Sequence, residues 1–120
     1  MTGRIVLIED DPDVAELIES LLTDVGHAVD VRADIADGAI DDEVHLVITD
    51  LIAPTKHDSK VARAWIARVR VAFPKAAVIF SSAHEPFAAG GAAALGADAI
   101  LTKPFDIGEF TELVESFLGA

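Results

Sequence analysis

The sequence predicts an α/β domain built on a parallel sheet. Short apolar runs alternate with segments of helical period along the whole chain, which is the pattern of repeated βα units. Two of the runs, at residues 44–49 and 77–81, are almost continuously apolar, as expected for strands covered on both faces. The length of 120 residues suits one such domain.

Five strands are predicted, and helices separate them. The strands cover residues 4–8, 28–31, 44–49, 77–81 and 99–101. The first helix has Asp11 as N-cap, Pro12 at its first position and Gly26 after its end. The last helix begins with a capping box formed by Asp106 and Glu109.

The three middle helices carry signals of unequal strength. The second is a short polar segment at residues 34–40, whereas the third, at residues 59–72, has a regular apolar stripe that includes Trp65. We interpret Trp65 as a core or helix-packing residue. The fourth helix, at residues 86–95, contains two adjacent glycines, each of which costs about 1 kcal/mol relative to alanine. It should be a soft element.

Composition excludes several classes of function. The net charge of -12 argues against direct binding to nucleic acid, which normally depends on clustered lysine and arginine. No apolar run approaches the roughly 18 residues that a membrane span needs. The chain has no cysteine, so it has neither disulfides nor a thiolate metal site, and its first residues turn acidic too early for a secretory signal. We expect a cytoplasmic protein.

Chemically active side chains follow the predicted strands. In an open parallel sheet, ligands bind beyond the carboxyl ends of the strands, where these side chains should meet. The residues are Glu9, Asp10, Asp50, Ser82 and Lys103. Ser81 is an alternative to Ser82 if the strand is displaced by one residue.

Three carboxylates at one edge repel one another unless a cation neutralises them, and Mg²⁺ prefers oxygen ligands. Asp10 and Asp50 are the candidate direct ligands, with Glu9 acting through a water and a backbone carbonyl just past Asp50 as a further ligand. The metal would allow the Asp50 carboxylate to attack phosphorus and form an acyl phosphate. Lys103 is the predicted second cation, and Ser82 the hydroxyl donor to the attached phosphate.

At this point the sequence resembles the receiver domain of response regulators in two-component signalling. The segments IVLIEDDP, LVITDLIAP, VIFSSA and LTKPF occur in the order and approximate spacing of that family, and the match runs over residues 4–118. The resemblance implies one receiver domain over residues 1–120, with a flavodoxin-like, doubly wound, five-stranded parallel sheet of order 2-1-3-4-5 and five helices.

The same resemblance implies a phosphorylation-dependent switch. It would accept a phosphoryl group from a histidine kinase or histidine phosphotransfer protein, would catalyse only its own phosphorylation and phosphate loss, and would signal to an unidentified protein partner. The implied roles are Asp50 as acceptor, Glu9 and Asp10 as the acidic pair, Ile52 as the carbonyl ligand of Mg²⁺, Ser82 as switch hydroxyl and Lys103 as the phosphate-binding lysine. The bond between Lys103 and Pro104 is expected to be cis.

Some positions depart from the family pattern or have no clear role. Residues 55–58 replace a turn that usually contains glycine, and Ile100 stands where the family usually has an aromatic switch residue. We expect His84 either to border the phosphorylation site or to face solvent. The other histidines, His27, His45 and His57, are predicted to be surface or boundary residues.

Two enzyme or cofactor functions are disfavoured, and one rival remains. An aspartate-based phosphohydrolase would need a second aspartate at position 52, where this chain has Ile52. A flavin site would need glycine and hydroxyl residues after the first strand, where the chain is acidic. The remaining rival is a binding module that keeps the site and switches poorly.

Overall fold

The computed structural model describes residues 3–35, 40–51 and 58–118. Five strands form one parallel sheet in the order β2-β1-β3-β4-β5, which confirms the predicted order. They are β1 (Arg4–Ile8), β2 (Ala28–Arg32), β3 (Leu46–Thr49), β4 (Ala77–Ser82) and β5 (Ala99–Thr102). The third strand begins at Leu46, two residues later than the sequence predicts.

Four of the five predicted helices lie in the described part of the chain. The helical segments are α1 (Pro12–Asp24), α2 (Ser59–Ala72), α3 (Glu85–Gly90), α4 (Ala92–Leu95) and α5 (Ile107–Leu118). The predicted second helix falls mainly on residues 36–39, outside the described residues. None of the described helices is long and apolar enough to cross a membrane.

The predicted fourth helix is divided into α3 and α4. The break is at Gly91, whose φ of 86° is incompatible with a right-handed helix and is easily adopted only by glycine. A left-handed Gly96 then ends α4. The softness expected from the two adjacent glycines therefore appears as an interruption of the helix.

The other helix ends follow the local sequence signals. Asp11 accepts hydrogen bonds from the backbone N–H groups of Asp13 and Val14 at the start of α1. Asp58 caps α2 in the same way, and Asp106 accepts the N–H of Glu109 at 3.0 Å. These caps fix where α1, α2 and α5 begin.

The sheet separates two apolar layers. On one face, α1 and α5 pack against alternate residues of the strands. On the other face, α2 and the broken α3–α4 segment do so, and the buried Trp65 and Phe87 lie in this second layer. The burial of Trp65 confirms its predicted packing role.

His27 corrects the prediction that it is a surface or boundary residue. It is 4% exposed, and its Nδ1 accepts the backbone N–H of Gly3 at 3.0 Å. Because Nδ1 is an acceptor, the ring proton is on Nε2, which donates to Glu115 Oε1 at 2.9 Å. The ring thus joins the start of β1 to α5, a long-range contact that the sequence gives no sign of.

Replacing His27 should test this link. We expect His27→Ala to lower the free energy of unfolding by about 1–3 kcal/mol, because the buried Gly3 N–H loses its acceptor. Glu115→Gln should be much milder than Glu115→Ala, since an amide oxygen still accepts from Nε2. Urea unfolding at neutral pH measures all three variants. A loss under about 0.5 kcal/mol for His27→Ala, the range of ordinary surface changes, would contradict the assignment.

Candidate functional site

The carboxyl ends of the strands hold the candidate site, and ladder hydrogen bonds place its residues. The Asp50 N–H donates to the Ile8 carbonyl at 2.9 Å, which extends the β1–β3 pairing past the end of β3. The Lys103 N–H donates to the Ser82 carbonyl at 2.9 Å, and this bond extends the β4–β5 pairing past the end of β5. The backbone therefore brings Asp50 beside the end of β1 and Lys103 beside the end of β4.

Three carboxylates lie together at this edge. Glu9, Asp10 and Asp50 each offer an oxygen, and these oxygens all lie within 4.8 Å of one another. Glu9 is buried, Asp50 is half-buried and Asp10 is exposed. Ile52, the predicted carbonyl ligand, lies outside the described residues. The structure thus brings together the three acids that the sequence singles out.

Lys103 reaches across the edge to two of these acids. Its Nζ donates to Glu9 Oε1 at 2.7 Å and lies 3.4 Å from Asp50 Oδ2. The Lys103 side chain is 20% exposed and the Glu9 side chain 3% exposed. The contact with Glu9 is a short, partly desolvated ion pair.

Burial sets the protonation behaviour of this pair. Burial disfavours the charged carboxylate and raises the pKa of Glu9, although the hydrogen bond and charge of Lys103 work in the opposite direction. Burial also works to lower the pKa of Lys103, but the Glu9 hydrogen bond and the charges of Asp50 and Glu9 outweigh it, so the Lys103 pKa is raised. Lys103 is therefore a firmly charged ammonium at neutral pH.

The two oxygens of Asp50 have different surroundings. Oδ1 accepts the backbone N–H of Leu51 at 2.8 Å, whereas Oδ2 faces the Lys103 ammonium. The hydrogen bond to Oδ1 restrains the rotation of the carboxylate and, with it, the direction of Oδ2. Oδ2 is the oxygen that points toward the cation.

The structure separates the two adjacent serines. Ser82 Oγ accepts the backbone N–H of His84 at 3.0 Å, at the loop that leaves β4. Ser81 Oγ is buried and has no hydrogen-bond partner among the described residues. Since successive side chains of a strand point to opposite faces, Ser82 is the serine associated with the loop above the site.

His84 lies beside this loop and contacts the second apolar layer. Its ring meets the Phe87 ring edge to face, with 4.7 Å between centroids, and Phe87 meets Phe80 at 5.7 Å. Ile100 is partly buried against the same layer. His84 thus borders the Ser82 end of the edge and is not a purely solvent-facing residue. The bond between Lys103 and Pro104 is cis, as expected.

Sequence reasoning missed one pair of polar residues under the site. Trp65 Nε1–H donates to Thr49 Oγ1 at 2.8 Å, and Thr49 Oγ1–H donates to the Asp50 carbonyl at 2.7 Å. Both residues have ordinary local interpretations, Thr49 as a strand residue and Trp65 as a core residue. Only the tertiary structure brings them together.

Comparisons with known proteins agree with this geometry. The response regulator receiver domain family matches residues 5–115. The transcriptional regulatory protein DltR of Streptococcus agalactiae is 33% identical over 110 residues, covering 88% of this chain and 47% of DltR. The chain therefore spans about half the length of this curated relative.

Two solved structures have the same fold. A response regulator receiver protein from Burkholderia phymatum is 28% identical, with a TM-score of 0.71 and coverage of 98% of this chain and 95% of that chain. The response regulator protein TrrA of Thermotoga maritima, solved in complex with Mg²⁺-BeF, has a TM-score of 0.68 at 22% identity and coverage of 96% and 98%. At that identity TrrA supports the fold alone.

The family match covers nearly the whole chain, and the chain also has the strand order and the acidic edge described above. The chain belongs to the response regulator receiver domain family, the phosphorylation-dependent switches of two-component signalling.

Proposed function

We propose that Asp50 is the phosphoryl acceptor of this receiver and that Asp50 and Asp10 bind the Mg²⁺ that its phosphorylation requires. The observation that carries the proposal is the meeting of three carboxylates within 4.8 Å at the edge that Lys103 also reaches. We assign the whole of residues 1–120 to this one domain. Its phosphoryl donor is a histidine kinase or a histidine phosphotransfer protein.

The chemistry of the donor set fits Mg²⁺. By formal charge, three carboxylates and one ammonium would leave an excess of two negative charges among these four groups. All the available side-chain donors of the acidic cluster are oxygens, which Mg²⁺ prefers over nitrogen or sulfur. Asp10 and Asp50 would hold the ion directly, Glu9 through a water and Ile52 through its carbonyl. Bound there, the ion would neutralise charge on phosphate oxygens.

Asp50 Oδ2 is the proposed nucleophile. Oδ1 is engaged by the Leu51 N–H at 2.8 Å, and Oδ2 points to the Lys103 ammonium, which attracts the oxygens of an incoming phosphoryl group. As the Oδ2–phosphorus bond forms, the bond from phosphorus to the donor's imidazole nitrogen breaks, and its electron pair stays on that nitrogen. The product is an acyl phosphate on Asp50.

Lys103 and Ser82 are proposed to bind the attached phosphoryl group. Lys103 must give up part of its 2.7 Å contact with Glu9 to do so, and a phosphate dianion offers a stronger charge than one carboxylate. Ser82 Oγ carries a proton that a phosphate oxygen can accept, and its rotation would withdraw the acceptor of the His84 N–H. Phosphorylation would thereby disturb the loop that leads into α3.

An apolar groove beside Lys103 supports docking of a protein donor. It has a volume of about 490 Å³ and lies between α1 and the segment after β5. Leu17 and Ile107, which line it, are 47% and 51% exposed. We propose that the phosphodonor protein contacts this groove and that an unidentified downstream protein receives the signal.

A cytoplasmic location stays a prediction of the sequence.

Asp50→Asn should abolish phosphorylation by a cognate kinase or by acetyl phosphate and leave the fold intact, because an amide is nearly isosteric but is not nucleophilic. Intact-mass measurement after incubation with Mg²⁺ and the donor checks this. Asp58→Asn is the matched control, since Asp58 is exposed and asparagine also caps helices. Full phosphorylation of Asp50→Asn at another residue would remove Asp50 from its role.

Asp10→Ala should eliminate both Mg²⁺ binding and phosphorylation, because one remaining direct carboxylate ligand holds so strongly hydrated an ion poorly. Calorimetric titration with MgCl₂ and the acetyl phosphate assay measure the two effects. Asp13→Ala removes a neighbouring exposed acid outside the cluster and should retain both activities. Metal-dependent phosphorylation of Asp10→Ala at the wild-type rate would refute the assignment of Asp10 as a direct ligand.

The signal should leave the site mainly through residues 82–95. Ile100 lacks the large ring that swings inward in other receivers, whereas α3 and α4 are short and broken at Gly91. Hydrogen exchange with and without Mg²⁺ and beryllium fluoride should therefore change in residues 82–95 and little at Ile100. Unchanged protection of residues 82–95 at demonstrated saturation would favour the binding module that switches poorly.

A further inference from the structure

A buried hydroxyl links the acceptor to the second apolar layer. Thr49 is 0% exposed at the end of β3, directly before Asp50. Its Oγ1–H donates to the Asp50 carbonyl at 2.7 Å, and its Oγ1 accepts the Trp65 Nε1–H at 2.8 Å. Trp65 belongs to α2 and is 4% exposed. Two hydrogen bonds therefore connect Trp65 of α2, through Thr49 of β3, to Asp50, the proposed phosphoryl acceptor.

Donor and acceptor chemistry gives this chain one direction. The indole N–H of Trp65 is only a donor, so Thr49 Oγ1 must accept from it. The single hydroxyl proton of Thr49 is then available for the Asp50 carbonyl, which is only an acceptor. Because its donor and its acceptor are both defined, the Thr49 hydroxyl has one orientation. The two hydrogen bonds are buried, so each polarises the other.

The carbonyl that Thr49 binds belongs to the peptide unit joining Asp50 and Leu51. The N–H of this same peptide unit donates to Asp50 Oδ1 at 2.8 Å. Because a peptide unit is planar, holding its carbonyl oxygen also holds the direction of its N–H. Thr49 therefore acts on the peptide that fixes the rotation of the acceptor carboxylate and so the direction of Oδ2.

We propose that Thr49, held by Trp65, is a positioning residue that aims Asp50 Oδ2 for phosphoryl transfer. The proposal rests on the proposed role of Asp50 as acceptor. Near-attack geometry depends on small angular errors at the nucleophile, so loss of one such restraint slows transfer without weakening donor binding. The same hydrogen bonds couple the two residues in the opposite direction. Rotation of the Asp50 carboxylate on phosphorylation therefore alters the environment of the Trp65 indole.

The competing explanation is that the hydroxyl only satisfies a buried indole and stabilises the core. Two substitutions separate these roles, because Thr49→Ser keeps the hydroxyl and Thr49→Val keeps the shape. Val69→Ala is the control for stability alone, since Val69 is 0% exposed on α2 and lies in the same apolar layer. Urea unfolding ranks the stability of the three variants.

The first measurement is the rate of phosphorylation as a function of acetyl phosphate concentration, with Mg²⁺ in excess. Thr49→Val should lower the maximal rate about tenfold and leave the half-saturating donor concentration nearly unchanged. Thr49→Ser should stay within about twofold of wild type, as should Val69→Ala at a temperature where it is fully folded. Equal maximal rates for Thr49→Val and Thr49→Ser, or an equal loss in Val69→Ala, would overturn the proposal.

The second measurement uses tryptophan fluorescence, because Trp65 is the chain's single tryptophan. Titration of the wild-type protein with beryllium fluoride and Mg²⁺ should change the Trp65 emission, and ¹⁹F NMR reports saturation independently. Thr49→Val should reach saturation with a much smaller emission change, and Thr49→Ser should keep the change. Identical emission changes in wild type and Thr49→Val would overturn the coupling.

Failure of the positioning role and failure of the acceptor role give different results. If wild-type protein is phosphorylated on Asp50 but Thr49→Val reacts at the same maximal rate, Asp50 keeps its function and Thr49 loses its role. If peptide mapping finds no phosphate on Asp50 of the wild-type protein, both the acceptor assignment and the positioning role are overturned.

Discussion

The crowding of carboxylates at the carboxyl edge of the sheet is the constraint on which the site depends. Glu9, Asp10 and Asp50 would repel one another in a partly desolvated place, and Lys103 compensates only one of their charges at short range. Burial raises the pKa of Glu9 even with that lysine 2.7 Å away. Among these four groups the negative charge exceeds the positive charge, which is the physical reason for proposing that a cation binds at this edge.

The parallel sheet enforces this crowding through its backbone. Beyond the ends of the strands, the Asp50 N–H still bonds to the Ile8 carbonyl, and the Lys103 N–H still bonds to the Ser82 carbonyl. Moving the backbone at Asp50 or Lys103 away would break these bonds, next to the strands β1, β3 and β4, whose residues are mostly buried. The packing of the two apolar layers thus holds the backbone positions that bring these charges together.

The strands, most helix boundaries and the acidic edge could be predicted from short-range signals in the sequence, whereas the strand order came from the resemblance to the receiver family. Apolar runs mark the strands, Asp11 and Asp106 cap their helices, and polar residues follow directly after strands. The burial of His27 and the link from Trp65 to Thr49 could not be predicted in this way. Each joins residues distant in the chain, 24 apart for the His27 bond to Gly3 and 16 apart for the other, and neither residue is unusual for its local segment.

The two adjacent glycines predicted a weak fourth helix, but the sequence did not show that the helix would be divided at Gly91. His84, which donates its backbone N–H to Ser82 Oγ, also packs on Phe87, and Phe87 packs on Phe80 of β4. Ile100 reaches the same layer from β5 without an aromatic ring. His84 of the loop after Ser82 and Phe87 of α3 therefore add aromatic rings to this layer next to Phe80 of β4. Since α3 ends at Gly90, a displacement of the kind proposed on phosphorylation would involve only a short segment, and the rest of the second layer would not need to repack.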